Sequence, residues 1–319
     1  MNRITIYSPG FFLAGMFFNL RERITGYSKE RKKFKRTTGY ELNLKNPRSF
    51  TEKIVWKKIY DRNPLMPIVA DKYRVRRYVT EILGREEAEK VLVPLLHVTD
   101  RPETIPFDDL PHEFIIKPNH ASKKHLIIEK DSVIDRRKII ETCNEWLSRP
   151  FGYLRHEWAY QKIARKIVIE GLLRDSDGRL PSDYKFFVFH GRCHLIQVIY
   201  DRFNQANLSY YTPEWEHLDV KGRLKPGEFK PRPENLESMV RVAESLGAYF
   251  DAIRVDLYSV NGRVYFGELT NYHISGRVAW TPVSFDFELG AKWKTEPGYW
   301  KRNDSIQNLA RKLNNAGKP

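Results

Sequence analysis

The segment RVDLYSVNGRVYFGELT, residues 254–270, constrains the chain most tightly. Two apolar runs flank Asn261-Gly262, a dipeptide that tolerates positive φ and favours a tight hairpin turn. Each arm carries one carboxylate, Asp256 or Glu268, where a strand prefers an apolar or β-branched residue. With a simple two-residue turn, Val260 faces Arg263 and Asp256 faces Gly267, so Glu268 falls on the opposite face. A three-residue turn or a bulge shifts the register by one. Asp256 and Glu268 then share a face, with Thr270 two residues farther along it. Two hard oxygen ligands and a hydroxyl so placed suit Mg²⁺ completed by water and phosphate oxygens. In the alternative, both acids face solvent or pair with Lys and Arg.

Cations are in excess. The 319 residues carry 55 Lys+Arg against 40 Asp+Glu, a formal net charge of +15 that favours polyanionic partners: nucleotides, acidic polymers, nucleic acid or acidic membrane. A hydrophobic share of 41% supplies a sizeable core and excludes a disordered chain. Two cysteines, Cys143 and Cys193, are too few for a metal cluster and fit a reducing compartment. No run of about 20 apolar residues is present to span a bilayer. FFLAGMFFNL (11–20) is too short for that, and the basic RERITGYSKERKKFKR (21–36) follows it. An apolar turn or two beside a basic run suits peripheral docking on anionic lipid. Otherwise the apolar residues pack on the domain.

Along the chain, SFTEKIVWKKIY opens with a capping box, Ser49 to Glu52, and reads as a helix. DKYRVRRYVTEILG reads as a second, with Asp71 as N-cap, a stripe of Val75, Tyr78, Val79 and Ile82, and Gly84 as its stop. Lys72 then opposes the helix dipole in the first turn, which a bound phosphate would explain; in the alternative it is simply a solvated lysine. Strands are expected at 91–96, 113–119, 125–131, 166–173 and in a hairpin over 183–203, with helices near 136–147 and 233–247. Residues 204–232 read as a polar loop, and the tail as a short, fraying helix. Helices interleaved with hairpins indicate an α+β fold rather than βαβ units. No G-x-G-x-x-G or Walker A motif occurs.

Lys117 interrupts an apolar strand, and a buried lysine needs a buried anion. Lys185 repeats the pattern in DYKFFVF, Arg202 ends the next strand, and Glu170 closes IVIE. The order DKYRVRRYV, FIIKPN, IVIEGLL, DYKFFVFHGR…IQVIYDR, RVDLY…NGRVYFGELT resembles the ATP-grasp superfamily. The TupA-like branch, named for teichuronopeptide biosynthesis, is the closest match, and LNLKNPRSFTEKIVWKKIYDRNPL (42–65) resembles its N-terminal signature. The resemblance covers roughly residues 40–290. It implies ATP held between two α+β subdomains, with an N-terminal helical extension over 1–66, an N-terminal and lid part over 67–173, and a C-terminal part with the metal and acceptor sites over 174–319. Lys72 and Lys117 would hold phosphates, with His120 and Ser122 in the covering loop. Glu170 and the backbone to Leu172 would meet adenine. Lys185 and Arg202 would face the phosphates and an acyl intermediate, and Asp256, Glu268 and Thr270 would ligate Mg²⁺. The loop HASKK (120–124) lacks the branch's usual glycines, which ease the positive φ that a phosphate cradle needs. LTNYHISG (269–276) also departs from the branch's usual acceptor loop at Asn271, His273 and Ile274.

The implied reaction is ATP-dependent carboxylate–amine ligation through an acyl phosphate. The expected partners are ATP, a uronic acid of a surface polysaccharide and an amine donor. The expected location is the cytoplasm, with peripheral contact to the inner membrane face through residues 11–36. Two rivals compete. A glycosyltransferase would use the D-x-D of DSD (175–177), otherwise an ordinary turn. A non-catalytic polyanion binder would use the charge and the aromatics of YKFFVF, otherwise a strand's core face; nucleic acid is the weaker form of that reading.

Overall fold

The structure is a computed structural model that describes residues 9–200, 206–222, 224–227 and 229–315. Arg202, expected above to face the phosphates, lies outside the described residues. Helices α1 (Pro9–Ile24) and α2 (Ser28–Thr38) precede α3 (Phe50–Tyr60). The capping box of α3 forms as expected: the Ser49 hydroxyl accepts the Glu52 amide, and the Glu52 carboxylate accepts the Ser49 amide. Three lysines of α3 are buried and tie it to distant parts of the chain. Lys53 donates to the Gly290 and Trp293 carbonyls, Lys57 pairs with Asp61 and Asp251, and Lys58 lies 2.7 Å from Glu30. Buried pairs of this kind add little net stability, but removing one partner is costly.

Helices α4 (Met66–Ala70), α5 (Arg74–Leu83) and α6 (Arg85–Val91) follow. In α5 the stripe of Val75, Tyr78 and Val79 is buried, and Gly84 stops the helix at φ 80°. Its regular turns begin at Arg74, yet Asp71 Oδ1 still accepts the amides of Tyr73 (2.9 Å) and Arg74 (3.2 Å).

A four-stranded antiparallel sheet comes next. It is built from β1 (Leu95–Thr99), β2 (Phe114–Pro118), β3 (Leu126–Ile128) and β4 (Ile167–Gly171) in the order β1-β4-β2-β3. Between β3 and β4 run α7 (Arg136–Ser148) and α8 (Trp158–Gln161). Phe114, Ile116, Ile139, Trp146 and Ile169 make a core between this sheet and α7. The strand expected at 91–96 starts instead at Leu95, because Ala88 and Val91 bury themselves as the face of α6. A short apolar run alone does not separate the two forms.

The second sheet has seven strands: β5 (Asp183–Phe189), β6 (Arg192–Tyr200), β7 (Asn207–Tyr211), β8 (His217–Leu218), β9 (Lys225–Pro226), β10 (Ala252–Val260) and β11 (Arg263–Thr270). Their order is β11-β10-β5-β6-β7-β8, with β9 beside β7. Helix α9 (Leu236–Gly247) leads into β10, and α10 (Ser284–Ala291) and α11 (Asp304–Asn315) close the described chain. The polar loop expected over 204–232 therefore contains three strands. Leu208, Tyr210, Tyr211 and Trp215 are buried there, an aromatic content that the surrounding Pro, Gly and Lys obscure. Helix α11 docks through Ile306, Leu309, Ala310 and Leu313 rather than fraying along its length. The aromatics Phe186, Phe187 and Phe189 are core, which leaves them unavailable for stacking on bases. Cys143 and Cys193 are both free and buried. Helices α4–α6 share the core of the large sheet, and a cleft separates that body from the small sheet.

Candidate active site

The hairpin of β10 and β11 decides the geometry. Its turn is the two-residue form, with Asn261 at φ 51° and Gly262 at φ 76°, and Val260 faces Arg263. The register then slips once between Asp256 and Leu257, so that Asp256 lies directly opposite Glu268. Gly267 is the extra residue of this bulge. A Cβ there would sit 3.0 Å from the Asp256 carbonyl and 3.0 Å from the Tyr258 ring, so a side chain would meet the partner strand. The bulged alternative in the sequence is thus the one adopted, and both acids share a face.

That face floors a cleft, open to solvent, between the two sheets. Lys72, Lys117, Ser122, Glu170, Leu172, Asp256 and Glu268 line it, as do Asp183 and Tyr258. Lys185 and Thr270 join the floor through hydrogen bonds. Lys185 Nζ reaches Asp256 Oδ2 at 2.6 Å and Asp183 Oδ1 at 3.4 Å, and the Thr270 hydroxyl donates to Glu268 Oε1 at 3.0 Å. His120 is turned elsewhere. It is buried, with Nε2 3.3 Å from the Arg149 carbonyl, and its ring does not line the cleft.

Arg254 is the residue that the sequence reading missed. It stands two residues before Asp256 and therefore on the same strand face, a period-2 signal that was available. Its Nε donates to Asp256 Oδ1 at 2.6 Å. Its Nη2 reaches Asp256 Oδ2 (2.7 Å), Glu268 Oε1 (3.1 Å) and Thr270 Oγ1 (2.9 Å). One guanidinium thus holds all three expected metal ligands, while Nη1 lies 2.8 Å from His273 Nδ1. Burial alone would raise the Asp256 carboxyl, but Arg254 and Lys185 outweigh it and hold it below the ordinary range. Glu268 is lowered too: Lys72, Arg254 and Lys185 overcome both burial and the repulsion of Asp256. Burial, with Arg254 and Lys185 beside it, keeps His273 well below its usual value and hence neutral.

The other wall is cationic. Lys117 Nζ lies 2.5 Å from Glu170 Oε2, and Arg76 Nη1 is 3.2 Å from Glu170 Oε1. Lys72 Nζ donates to the Ala121 carbonyl at 2.6 Å, which ties it to the covering loop, and burial lowers its pKa. Buried Asn119 locks the junction: its amide donates to Asp71 Oδ1 and the Ala164 carbonyl at 2.9 Å each, and its oxygen accepts the Lys166 amide at 2.8 Å. The loop itself reaches positive φ at Lys123 (59°) without a glycine. In DSD, Asp175 Oδ1 accepts the amides of Asp177 (3.0 Å) and Arg179 (2.8 Å), the pattern of a capped turn.

The donors Asp256, Glu268 and Thr270 are all hard oxygens on one face, which fits Mg²⁺. Among the described residues, no group of three or more His, Cys, Asp or Glu is placed to hold a metal unaided. Around the cleft, Lys72, Arg76, Lys117, Lys185 and Arg254 outnumber Glu170, Asp183, Asp256 and Glu268. The set therefore fits a divalent ion that arrives with phosphate ligands.

Two lobes gripping a lysine-walled, acid-floored cleft define a nucleotide-clamping fold of the ATP-grasp ligase class. The family model for TupA-like ATP-grasp proteins matches residues 52–294, most of the chain, and this protein belongs to that family. No curated protein matches the chain. Similar solved structures include the D-alanine–D-alanine ligase from Bacillus anthracis, at 19% identity over 78% of this chain and 70% of that one, with a TM-score of 0.43. D-Cycloserine synthetase DcsG is similar at 14% identity over 78% of this chain and 72% of that one, with a TM-score of 0.39. The ATP-grasp ligase PsnB, solved with a precursor variant, Mg and ADP, is similar at 13% identity over 82% and 66%, with a TM-score of 0.39.

Proposed function

We propose that this protein is an ATP- and Mg²⁺-dependent carboxylate–amine ligase that amidates a uronic acid of a surface polysaccharide or its precursor. The observation that carries the reading is the bulge at Gly267, which sets Asp256 opposite Glu268 on the floor of a cleft that Lys72 and Lys117 also line. Bound Mg²⁺ would neutralise charge on the transferred phosphoryl group. Asp256, Glu268 and Thr270 would hold it. Lys72 and Lys117 would position the phosphates as fixed positive charges, and Glu170 with the backbone to Leu172 would face the base. Lys185 and Arg254 would steady the negative charge of the acyl phosphate and of the oxyanion formed when the amine attacks. Arg202 is a further candidate for that role. The small sheet, with its loop 120–124, would close over the cleft and keep water from the intermediate. The net charge of +15 suits an acidic acceptor. The divisions at 66 and 173, a cytoplasmic location and peripheral contact with anionic membrane through residues 11–36 belong to the same proposal.

The test is thermal denaturation with nucleotides, followed by turnover. ADP with Mg²⁺ should stabilise the protein and UDP with Mn²⁺ should not, since ligands that bind only the folded state raise its melting point. ATP consumption should then require both a uronic acid and an amine. Full activity after Asp256→Ala would sink the proposal.

A further inference from the structure

The Arg254 side chain is 10% exposed and spends its guanidinium on the three residues proposed as metal ligands. Nη2 alone touches one oxygen from each of them: Asp256 Oδ2 at 2.7 Å, Glu268 Oε1 at 3.1 Å and Thr270 Oγ1 at 2.9 Å. It therefore stands where the three groups converge. A Mg²⁺ ion sits about 2.1 Å from each oxygen that holds it. An ion on these same oxygens would crowd Nη2 and meet a like charge at contact distance, so the two cations cannot share the position. With neither cation, Asp256 and Glu268 would face each other as two carboxylates, the first of them buried.

The acids are not the only hold on Arg254. Its Nη1 lies 2.8 Å from His273 Nδ1. A guanidinium only donates, so Nδ1 accepts and the ring proton sits on Nε2. That buried Nε2 finds no partner among the described residues, which leaves the contact with Arg254 as the polar use of the ring. Two aromatic rings wedge the imidazole, Phe187 at 4.9 Å and Phe50 at 6.0 Å between centroids. The turn that follows is pinned to α3. Lys58 donates to the Ser275 carbonyl at 2.8 Å, and a Cβ at Gly276 would come within 2.6 Å of the Val55 side chain. His273 is thus a fixed acceptor, at one of the positions where the loop 269–276 departs from the branch's usual sequence.

We infer that Arg254 is a built-in counter-ion of the metal site. Held by His273, it takes the metal's position when no metal is bound, and it yields Asp256, Glu268 and Thr270 only to an ion arriving with nucleotide phosphates. Free Mg²⁺ is thereby refused, and the phosphates supply the negative charge that lets the guanidinium move. The Nη2 edge so released becomes available to the transferred phosphoryl group. The inference rests on the proposed ligase reading only in taking these three residues as metal ligands.

Thermal denaturation of the full chain with Mg²⁺ alone tests it, because an ion that binds only the folded state raises the melting point. The wild-type chain should not respond. Arg254→Gln, which keeps a donor for Asp256 but no charge, should melt lower without metal and rise by several degrees with Mg²⁺. Lys185→Met also removes a cation from Asp256. Lys185 bonds Asp256 and Asp183 rather than Glu268 and Thr270, so this variant should stay indifferent to Mg²⁺. His273→Leu leaves every charge in place and strands Nη1. It should give a smaller rise, and it keeps the test open should Arg254→Gln fail to fold. His273→Leu indifferent to Mg²⁺ would strike His273 from the device. Arg254→Gln as indifferent as wild type, or Lys185→Met responding equally, would overturn the counter-ion. If ADP with Mg²⁺ still stabilises the wild-type chain, that failure leaves the ligase reading standing. A responsive Arg254→Gln in a chain that ignores ADP would keep the counter-ion and sink the ligase reading.

Discussion

At the residue scale, the floor of the cleft separates two kinds of acid. Asp256 is buried and shared by Arg254 and Lys185, whereas the Glu268 side chain is 39% exposed. Removing Asp256 leaves two cations without their counter-charge, so Asp256→Ala should cost about 3 kcal/mol of stability as well as activity. Glu268→Gln should cost under about 1 kcal/mol, because its ion pair is partly solvated. It should nonetheless abolish stabilisation by ADP with Mg²⁺, and thermal melts with and without nucleotide measure both effects. A Glu268→Gln protein still stabilised like wild type would remove Glu268 from the ligand set. The two acids, Thr270 and the strand lysines were legible because each breaks an apolar pattern. Arg254 was not singled out, since one more arginine in a chain with 55 basic residues draws no notice until its neighbours are known. Asp183 and Arg76 were invisible for the same reason: their roles come from pairing across strands and lobes. The bulge itself was legible only as one of two registers. The contact of Gly267 with the Asp256 carbonyl is a tertiary fact.

At the scale of elements, strongly periodic or capped segments read correctly, and weakly patterned ones did not. Helices α3 and α5 announced themselves by a capping box and a 3.6-residue stripe. Strands β7–β9 were hidden in a stretch rich in Pro, Gly and Lys, because β7 is buried without alternation, chiefly through its tyrosines, and β8 and β9 are two-residue strands that bury nothing. Helix α1 poses the opposite problem: too much apolar surface remains outside. Leu13, Met16, Phe17, Leu20 and Ile24 are 50–77% exposed and recur at helical spacing, and Leu154 beside them is 53% exposed. Monomeric proteins seldom leave such a patch uncovered. The next helix, SKERKKFKRTT, supplies the cations, its one acid, Glu30, being buried against Lys58 and Arg277. No helix among the described residues is long and apolar enough to cross a membrane. Peripheral adsorption requires only the two features present, an apolar ridge and a basic flank. The full chain should therefore co-sediment with phosphatidylglycerol vesicles and not with phosphatidylcholine vesicles, the more weakly as salt rises. Phe17→Glu with Ile24→Glu should abolish it. Binding unaffected by that pair would assign the ridge to a protein partner instead.

For the whole molecule, charge placed at a distance decides how the parts respond to ligand and to pH. The cleft carries more cations than carboxylates, so Mg²⁺ alone should stabilise little, whereas ADP with Mg²⁺ brings the missing negative charge. A melting point that rises with Mg²⁺ alone would contradict this. The response to acid follows in part from buried histidines: His120 at the cover loop and His156 beneath α1 are held near a pKa of about 4 chiefly by burial, and burial holds His273 well below its usual value too. In the unfolded chain each titrates near 6.5. Between those values the unfolded state binds more protons, so stability is intact above about pH 6.5 and is lost as pH falls toward 4. The depressions of His120 and His156 are each worth on the order of 3 kcal/mol at their limit. Asp286 works the other way. Burial raises it to about 6, so it costs stability as pH rises through that range. That cost is moderated by hydrogen bonds from Tyr40 (2.7 Å) and Thr51 (2.9 Å). Burial raises Asp61, Asp71 and Glu157 in the same sense as Asp286, and the three histidines should outweigh these carboxyls. Urea unfolding at pH 7 and pH 5 should show a net loss on acidification, and His156→Gln, which cannot charge, should shrink it. An equal loss in the variant would move the acid sensitivity to His120, to His273 or to the buried ion pairs that anchor α3.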